Sequence, residues 1–338
     1  MRQGQSKLDA HLIREQNLSM VTRTLHKEQV ATAARLRELT GLSVVTLTKL
    51  LDTLIESGIV LPGEIVKPAL GRPAATYRFN SAYRLLLIVS CYKRGGYDYA
   101  CYSVHDLFGE CIERREELIE TIHTDEFRIG IELYLERYRN IAIIGISMPS
   151  DTIGGRVAAA IRHDPRSLRL ASHLELRFGV PVFFETDINA ATLGCYNRLQ
   201  VQDFVSGIVL VPGRAPACGF CYEGELIRGR DGMAGEVRFF PMYNDVGILP
   251  TEPEQADELA VRTLRAVMCV LNPAVVAVYT ESLKPGIYDR LKKRLGSAAE
   301  IAMLPKIEVN DKIRDDIVSG MITLCLQHLD KLGQGAKA

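Results

Sequence analysis

Residues 31–60 read A-T-A-A-R-L-R-E-L-T-G-L-S-V-V-T-L-T-K-L-L-D-T-L-I-E-S-G-I-V, and this stretch decides the fold of the amino-terminal part. A helical run beginning at Ala31 ends at Gly41, whose missing Cβ permits a sharp turn. Ser43 offers a side-chain oxygen to cap a second helix. In that helix Leu47, Leu50, Leu51 and Leu54 fall at i, i+3, i+4 and i+7 and make one face apolar. The opposite face carries Val44, Val45, Thr48, Lys49 and Asp52, with Thr46 at its edge. Gly58 stops the helix, and Ile59–Leu61 and Ala75–Phe79 read as the strands of a small hairpin. Helix, short turn, helix, hairpin is the pattern of a winged helix-turn-helix.

That pattern implies duplex DNA as a partner. A helix fits the major groove, and its amino-terminal residues reach the base edges. Ser43, Val44, Thr46, Thr48 and Lys49 occupy those positions. Arg72, in Leu70-Gly71-Arg72-Pro73 at the hairpin's turn, suits a narrow minor groove or a phosphate. Residues 1–80 hold eleven Lys or Arg against seven Asp or Glu, a net +4. Since the whole chain is neutral, the remainder carries −4. The positive end is therefore the end that would face phosphates. The plainer alternative is an interaction module of two amphipathic helices and a hairpin. On either reading Leu47 and Leu54 belong to its core.

Working outward, 338 residues accommodate two or three domains. A hydrophobic content of 47% with 24% charged residues is that of a soluble globular protein. No basic start precedes an apolar run, and no stretch approaches the roughly 20 apolar residues of a membrane span. The expected compartment is the cytoplasm, with no membrane partner. Eight scattered cysteines predict reduced thiols in an interior. Overall neutrality excludes a generally basic nucleic-acid coat protein but leaves room for a local DNA-reading face.

Leu8, Leu12, Ile13, Leu18, Val21 and Leu25 predict one or two helices ahead of the turn motif. From Tyr83 the period changes. Tyr83–Ser90, Tyr97–Val104 and Glu110–Leu118 form a three-stranded meander. A helix over Glu126–Arg139 and a buried strand at Ile141–Met148 follow. Then come a helix over Leu168–Phe178, a strand at Val180–Phe184 and a helix from Asp187 to Leu199. A similar succession repeats: strands at Phe204–Val211, Gly219–Tyr222 and Glu225–Ile227, a helix over Gln255–Leu271 and a strand at Ala274–Tyr279. A helix near Tyr288–Leu295, a strand at Lys306–Val309 and a helix over Lys312–Leu332 complete it. The expected architecture is α/β: a winged helix-turn-helix over residues 1–80, then a duplicated unit whose lobes span 81–200 and 201–338 around a cleft. The second lobe is expected to carry dimerisation and the effector cleft.

The chain resembles the transcriptional-regulator branch of the ROK (repressor, open reading frame, kinase) family. The resemblance covers roughly residues 15–335. It rests on Gly71-Arg72-Pro73, on Gly179-Val180-Pro181-Val182, and on Glu185-Thr186-Asp187-Ile188-Asn189-Ala190-Ala191-Thr192-Leu193-Gly194. Further on, Gly224 to Gly229 lead into Ala234-Gly235-Glu236. It implies a two-lobed, actin-like ATPase fold (ribonuclease H-like) that binds sugars between its lobes. Kinase members carry D-x-G-G-T after the first strand and G-T-G-x-G after a later one. Here those positions read Val89-Ser90-Cys91-Tyr92-Lys93-Arg94 and Pro212-Gly213-Arg214-Ala215-Pro216-Ala217. The two prolines remove backbone donors that a phosphate cradle needs. The expectation is therefore a chain without phosphoryl transfer and with no cofactor.

By resemblance Asp187 stands at the kinases' general base. Two readings remain: it accepts a hydrogen bond from an effector's hydroxyl, or it only supports the helix start. Asn189 and Glu236 complete the expected effector site, Asn189 with a structural reading beside the binding one. Glu236 is followed by Arg238-Phe239 where the family has Gly-His, and Thr186 replaces an Asn, so specificity differs or the site is lost. Arg238 either meets an acidic ligand or neutralises Glu236 across one strand face. The family's cysteine-rich zinc segment is absent after Glu236, and Cys218 with Cys221 on one strand is a weak metal signal. No metal is expected. The expected partners are operator DNA, a sugar or sugar-derivative effector, and a second copy as homodimer or dimer of dimers. A sugar kinase with an appended DNA-binding domain and a ligand-blind regulator are the alternatives.

Overall fold

A computed structural model describes residues 2–66, 73–120, 127–149, 173–230, 232–243, 247–280, 286–295, 301–302 and 304–335. The chain divides into two compact units, Met1–Arg84 with Asp106–Phe108, and Leu85–His105 with Gly109–Ala338.

The first unit begins with a single long helix α1 (Arg2–Glu28), which fully buries Val21 and Leu25 and leaves Leu12 and Ile13 exposed. Strand β1 (Val30–Thr32) follows, then α2 (Ala33–Thr40), α3 (Val44–Glu56), β2 (Val60–Val66) and β3 (Ala74–Phe79). The helix expected from Ala31 starts two residues later, because Val30–Thr32 pairs antiparallel with β3, Ala31 opposite Tyr77. Thr32 ends that strand and caps α2, its hydroxyl accepting from the Arg35 N–H at 3.2 Å. Gly41 ends α2 at φ +68°, a left-handed conformation a Cβ would strain, and donates to the Arg37 carbonyl at 2.9 Å. The sheet order β1-β3-β2 leaves β2 at an edge, where Pro62 costs no ladder bond. Leu36, Leu47, Leu50, Leu51, Leu54, Val60 and Phe79 close around Val21 and Leu25. The turn Asp106–Phe108 completes this unit: Phe108 packs on the rings of His26 and Phe79, and Leu107 donates to the Ser81 carbonyl.

The second unit contains one topology twice. Strands β4 (Leu85–Arg94), β5 (Tyr97–His105) and β6 (Cys111–Ile119) form the meander; α4 (Phe127–Arg137), β7 (Ile141–Met148) and β8 (Val182–Thr186) follow. The sheet order is β6-β5-β4-β7-β8, with β7 parallel to both β4 and β8. Helix α5 (Asp187–Leu199) then leads into β9 (Val205–Val209), β10 (Ala217–Tyr222) and β11 (Glu225–Leu226). Helix α6 (Pro253–Leu271), β12 (Val275–Tyr279), α7 (Ile287–Leu295), β13 (Lys306–Asn310) and α8 (Ile313–Gly335) complete the repeat. The second sheet, β11-β10-β9-β12-β13, repeats the order and the parallel and antiparallel senses of the first. Of the helix read over 168–178, only 173–178 lies in the described residues and is helical.

Strand alternation gives each sheet two apolar faces. Leu85, Leu87 and Val89 pack under α4 through Ile131 and Tyr134, and Ile208, Val276 and Val278 pack under α6 through Ala260 and Leu264. The opposite faces are covered by α8, lying on β4 and β7, and by α5, lying on β9 and β10. These two helices touch along their length because Gly194 and Gly320 let backbones meet. A Cβ on Gly194 would stand 1.9 Å from the Asp316 carbonyl oxygen, and one on Gly320 1.9 Å from that of Ala190.

Candidate DNA-reading face and effector cleft

Ser43 caps α3: its hydroxyl accepts from the Thr46 N–H at 3.2 Å and shares a hydrogen bond with the Thr46 hydroxyl at 2.9 Å. Thr48 donates to the Val44 carbonyl at 2.9 Å. The four leucines are buried, while Ser43, Val44, Val45, Thr48 and Lys49 are exposed and Thr46 is half-buried. The five candidate readers on α3 thus sit around one helix start, on the side away from the leucine core. The wing strands β2 and β3 pair antiparallel, with a bulge between Pro62 and Ile65 and the Thr76 hydroxyl bonded to the Glu64 carbonyl. Arg72, at the wing's turn, lies outside the described residues, as does His163 in the second unit.

In the second unit Thr186 caps α5, accepting from the Asn189 N–H at 3.3 Å, and Asp187 is the first helical residue. Asp187 is half-buried and lines a cleft of about 110 Å³. That is small beside the roughly 300–1,000 Å³ of pockets that enclose drug-sized ligands, and the cleft opens to solvent on one side. Lys93, Arg94, Arg214 and Arg314 also line it, opposed by Asp187 and Asp311. Neither Asn189 nor Glu236 is among the described residues lining this cleft. Asn189 is buried and donates to Glu185 at 2.9 Å. Glu236 pairs with Arg238 at 3.1 Å, but on a single 3-10 turn (Val237–Phe239) instead of the strand expected there.

Sequence reasoning missed what orients the end of β8 just before Asp187. Glu185 is 1% exposed, yet its carboxylate is satisfied on all sides. Arg228 donates to it through two nitrogens at 2.9 and 2.7 Å, and the Thr186 N–H and Asn189 amide supply the rest. A charge so buried persists only with partners of this kind. Both residues lay inside the quoted motifs, but their pairing across 43 positions has no local signal.

Where the kinases place D-x-G-G-T, Tyr92, Lys93 and Arg94 form one wall of the cleft. The Tyr92 hydroxyl donates to Glu116, which also holds Arg94 and Arg314. Burial and then this bond push the Tyr92 hydroxyl up to about 12, and the same bond followed by Arg94 holds the Glu116 carboxyl below its ordinary range. In the second loop Pro212 and Pro216 have no N–H. Gly213 and Arg214 already donate to the carbonyls of Leu249 and Val211, at 2.8 and 3.1 Å. Few donors remain for an anion cradle.

Among the described residues no group of three or more His, Cys, Asp or Glu side chains could hold a metal ion. Cys218 and Cys221 are both buried, and burial pushes their thiols up to about 12 and about 11. The expectation of interior cysteines fails at two positions. Cys111 opens the edge strand β6 and Cys269 sits in the last turn of α6, and both are exposed. No described helix is long and apolar enough to cross a membrane.

Residues 113–248 match the family model described as the ROK family. The xylose repressor of Caldicellulosiruptor bescii is 24% identical over 238 residues, which are 67% of this chain and 58% of that protein. The chain thus spans about three fifths of the length of the curated relatives it matches. A crystal structure described as a ROK family transcriptional regulator, homolog of the E. coli MLC protein, superposes with a TM-score of 0.62 at 17% identity, covering 95% of this chain and 98% of that one. The ROK hexokinase of Thermus thermophilus superposes with a TM-score of 0.54 at 16% identity, covering 73% of this chain and 99% of its own. The duplicated sheet is therefore the two-lobed actin-like fold, and the chain carries a ROK family domain.

Proposed function

We propose that the chain is a sequence-specific DNA-binding transcriptional regulator, a repressor of carbohydrate-related genes. It acts as a homodimer or dimer of dimers, and its two-lobed domain binds a sugar effector without phosphorylating it. The observation that carries this reading is the start of α3, a capped helix that exposes Ser43, Val44, Thr48 and Lys49 beside a winged hairpin. The relatives named xylose repressor and the regulator-like fold support it. In this proposal residues 1–80 hold DNA, with Arg72 on the backbone or minor groove, and Asp187 accepts a hydroxyl of the effector. Asn189 and Glu236 shape the surrounding site. A dimer sets its two α3 helices on half-sites about 34–36 Å apart or a multiple of that. The effector acts by preferring the conformation that does not hold DNA.

Fluorescence anisotropy against duplexes from upstream of the chain's own operon tests the reading. Saturable binding is expected, weakening by roughly a thousandfold or more between 50 and 200 mM salt, as released counterions require. Absent or salt-indifferent binding refutes it. A sugar kinase with an appended DNA-binding unit is the second reading, favoured by Asp187 in the cleft and by the kinase-like fold. ATP turnover on a panel of hexoses and pentoses, lost in Asp187→Asn, establishes that reading instead.

A further inference from the structure

We propose that Val44 and Val45 read thymine 5-methyl groups in the major groove, so that the operator half-site carries A·T pairs with thymine facing the first turn of α3. The inference rests on the reading of the first unit as DNA-binding. Val44 and Val45 are the first two residues of the helix and are 58% and 66% exposed. Branched side chains at exposed helical positions give up rotamer freedom and gain no packing, so nothing local explains them.

The hydroxyls around them are partly engaged within the helix start. One hydroxyl proton is shared between Ser43 and Thr46, the Ser43 oxygen already caps the Thr46 N–H, and the Thr48 hydroxyl donates to the Val44 carbonyl. Among those hydroxyls the helix start presents two exposed isopropyl groups, which can neither donate to nor accept from a guanine or adenine edge. The only apolar group on a base edge in the major groove is the thymine methyl, and valine is its complement. Lys49, one turn further along, is left for a phosphate or a base acceptor.

The test uses the full chain. Duplexes are selected from a random library, and each thymine of a selected duplex is replaced singly by deoxyuridine, which removes only the methyl. Thymine enrichment is expected at one or two positions of each half-site. At those positions deoxyuridine should weaken binding about fourfold, the worth of one buried methyl. In Val44→Ala or Val45→Ala that penalty should shrink towards nothing, since the methyl has lost its partner. Alanine is a better helix former at both exposed sites, so the fold is preserved. Unchanged affinity on replacing every thymine overturns the inference, as does an undiminished penalty in both variants. Valine variants that change self-association but not DNA affinity also overturn it, by making the pair a docking surface. A chain that binds no duplex at all fails the regulator reading first and takes this inference with it.

Discussion

Asp316, in the first turn of α8, is 2% exposed and joins segments far apart in sequence. Arg198 of α5 donates to both its oxygens at 2.9 and 3.0 Å, and the Tyr279 hydroxyl adds a third bond at 2.8 Å. Arg198 also pairs with Glu308 at 2.7 Å. The Asp316 bond, followed by that to Glu308, raises the guanidinium's proton affinity. Removing Asp316 leaves Arg198 with Glu308 and the Tyr279 hydroxyl with the Ala191 carbonyl but takes three hydrogen bonds from a buried site, so Asp316→Ala should cost about 1–3 kcal/mol. Asp316→Asn should cost less, since an amide still accepts. Urea denaturation followed by circular dichroism measures both, and an unshifted Asp316→Ala midpoint contradicts the argument. Nothing in the sequence marked this residue, because acids in a first helical turn read as a solvated face complementing the dipole. Its partners stand 118 and 37 positions away. Asp187, by contrast, could be placed in advance, since the motif around it is contiguous.

The elements of both units were legible wherever a run of apolar residues had the right period and a local stop. Ile141–Met148 and Asp187–Leu199 form over the residues that periodicity assigns them. Strand β1 was not legible: three residues adjoining a helix carry no period, and its partner lies beyond two helices at Thr76–Arg78. The close passage of α5 over α8 was equally silent, although it fixes how the two sheets share one interior. Gly194 sits in a quoted motif, but only its contact gives it a role. In Gly194→Ala the new Cβ meets the Asp316 backbone 1.9 Å away, and neither helix can yield without disturbing the network at Asp316. Overpacking of this kind costs about 1–3 kcal/mol. For a unit of this size the melting temperature should fall by roughly 2–4 °C for each kcal/mol. Gly320→Ala strikes the same crossing from the other helix, so the double variant should lose less than the sum of the single losses. Additive losses in a thermal scan place the two glycines in separate interactions and refute the shared crossing.

At the scale of the whole chain, the proposal that the two-lobed fold transfers no phosphate rests on the two turns read against the kinase loops, where backbone groups are already bonded within the chain. Two prolines, two N–H groups already bonded within the chain, and a wall of Tyr92, Lys93 and Arg94 leave a cleft of about 110 Å³. The cationic lining attracts anions, so charge alone favours ATP; geometry opposes it, and phosphate binding depends on converging donors more than on net charge. A calorimetric or dye-based melt decides which wins. A site with a dissociation constant a hundredfold below the nucleotide concentration stabilises by about 2.7 kcal/mol. That corresponds to a rise of roughly 5–10 °C in Tm for a domain of this size. With millimolar magnesium-ATP the expected rise is none, and Arg214→Ala should leave that result unchanged. A rise of several degrees that vanishes in Arg214→Ala means that charge has prevailed, and the cleft is then a nucleotide site after all.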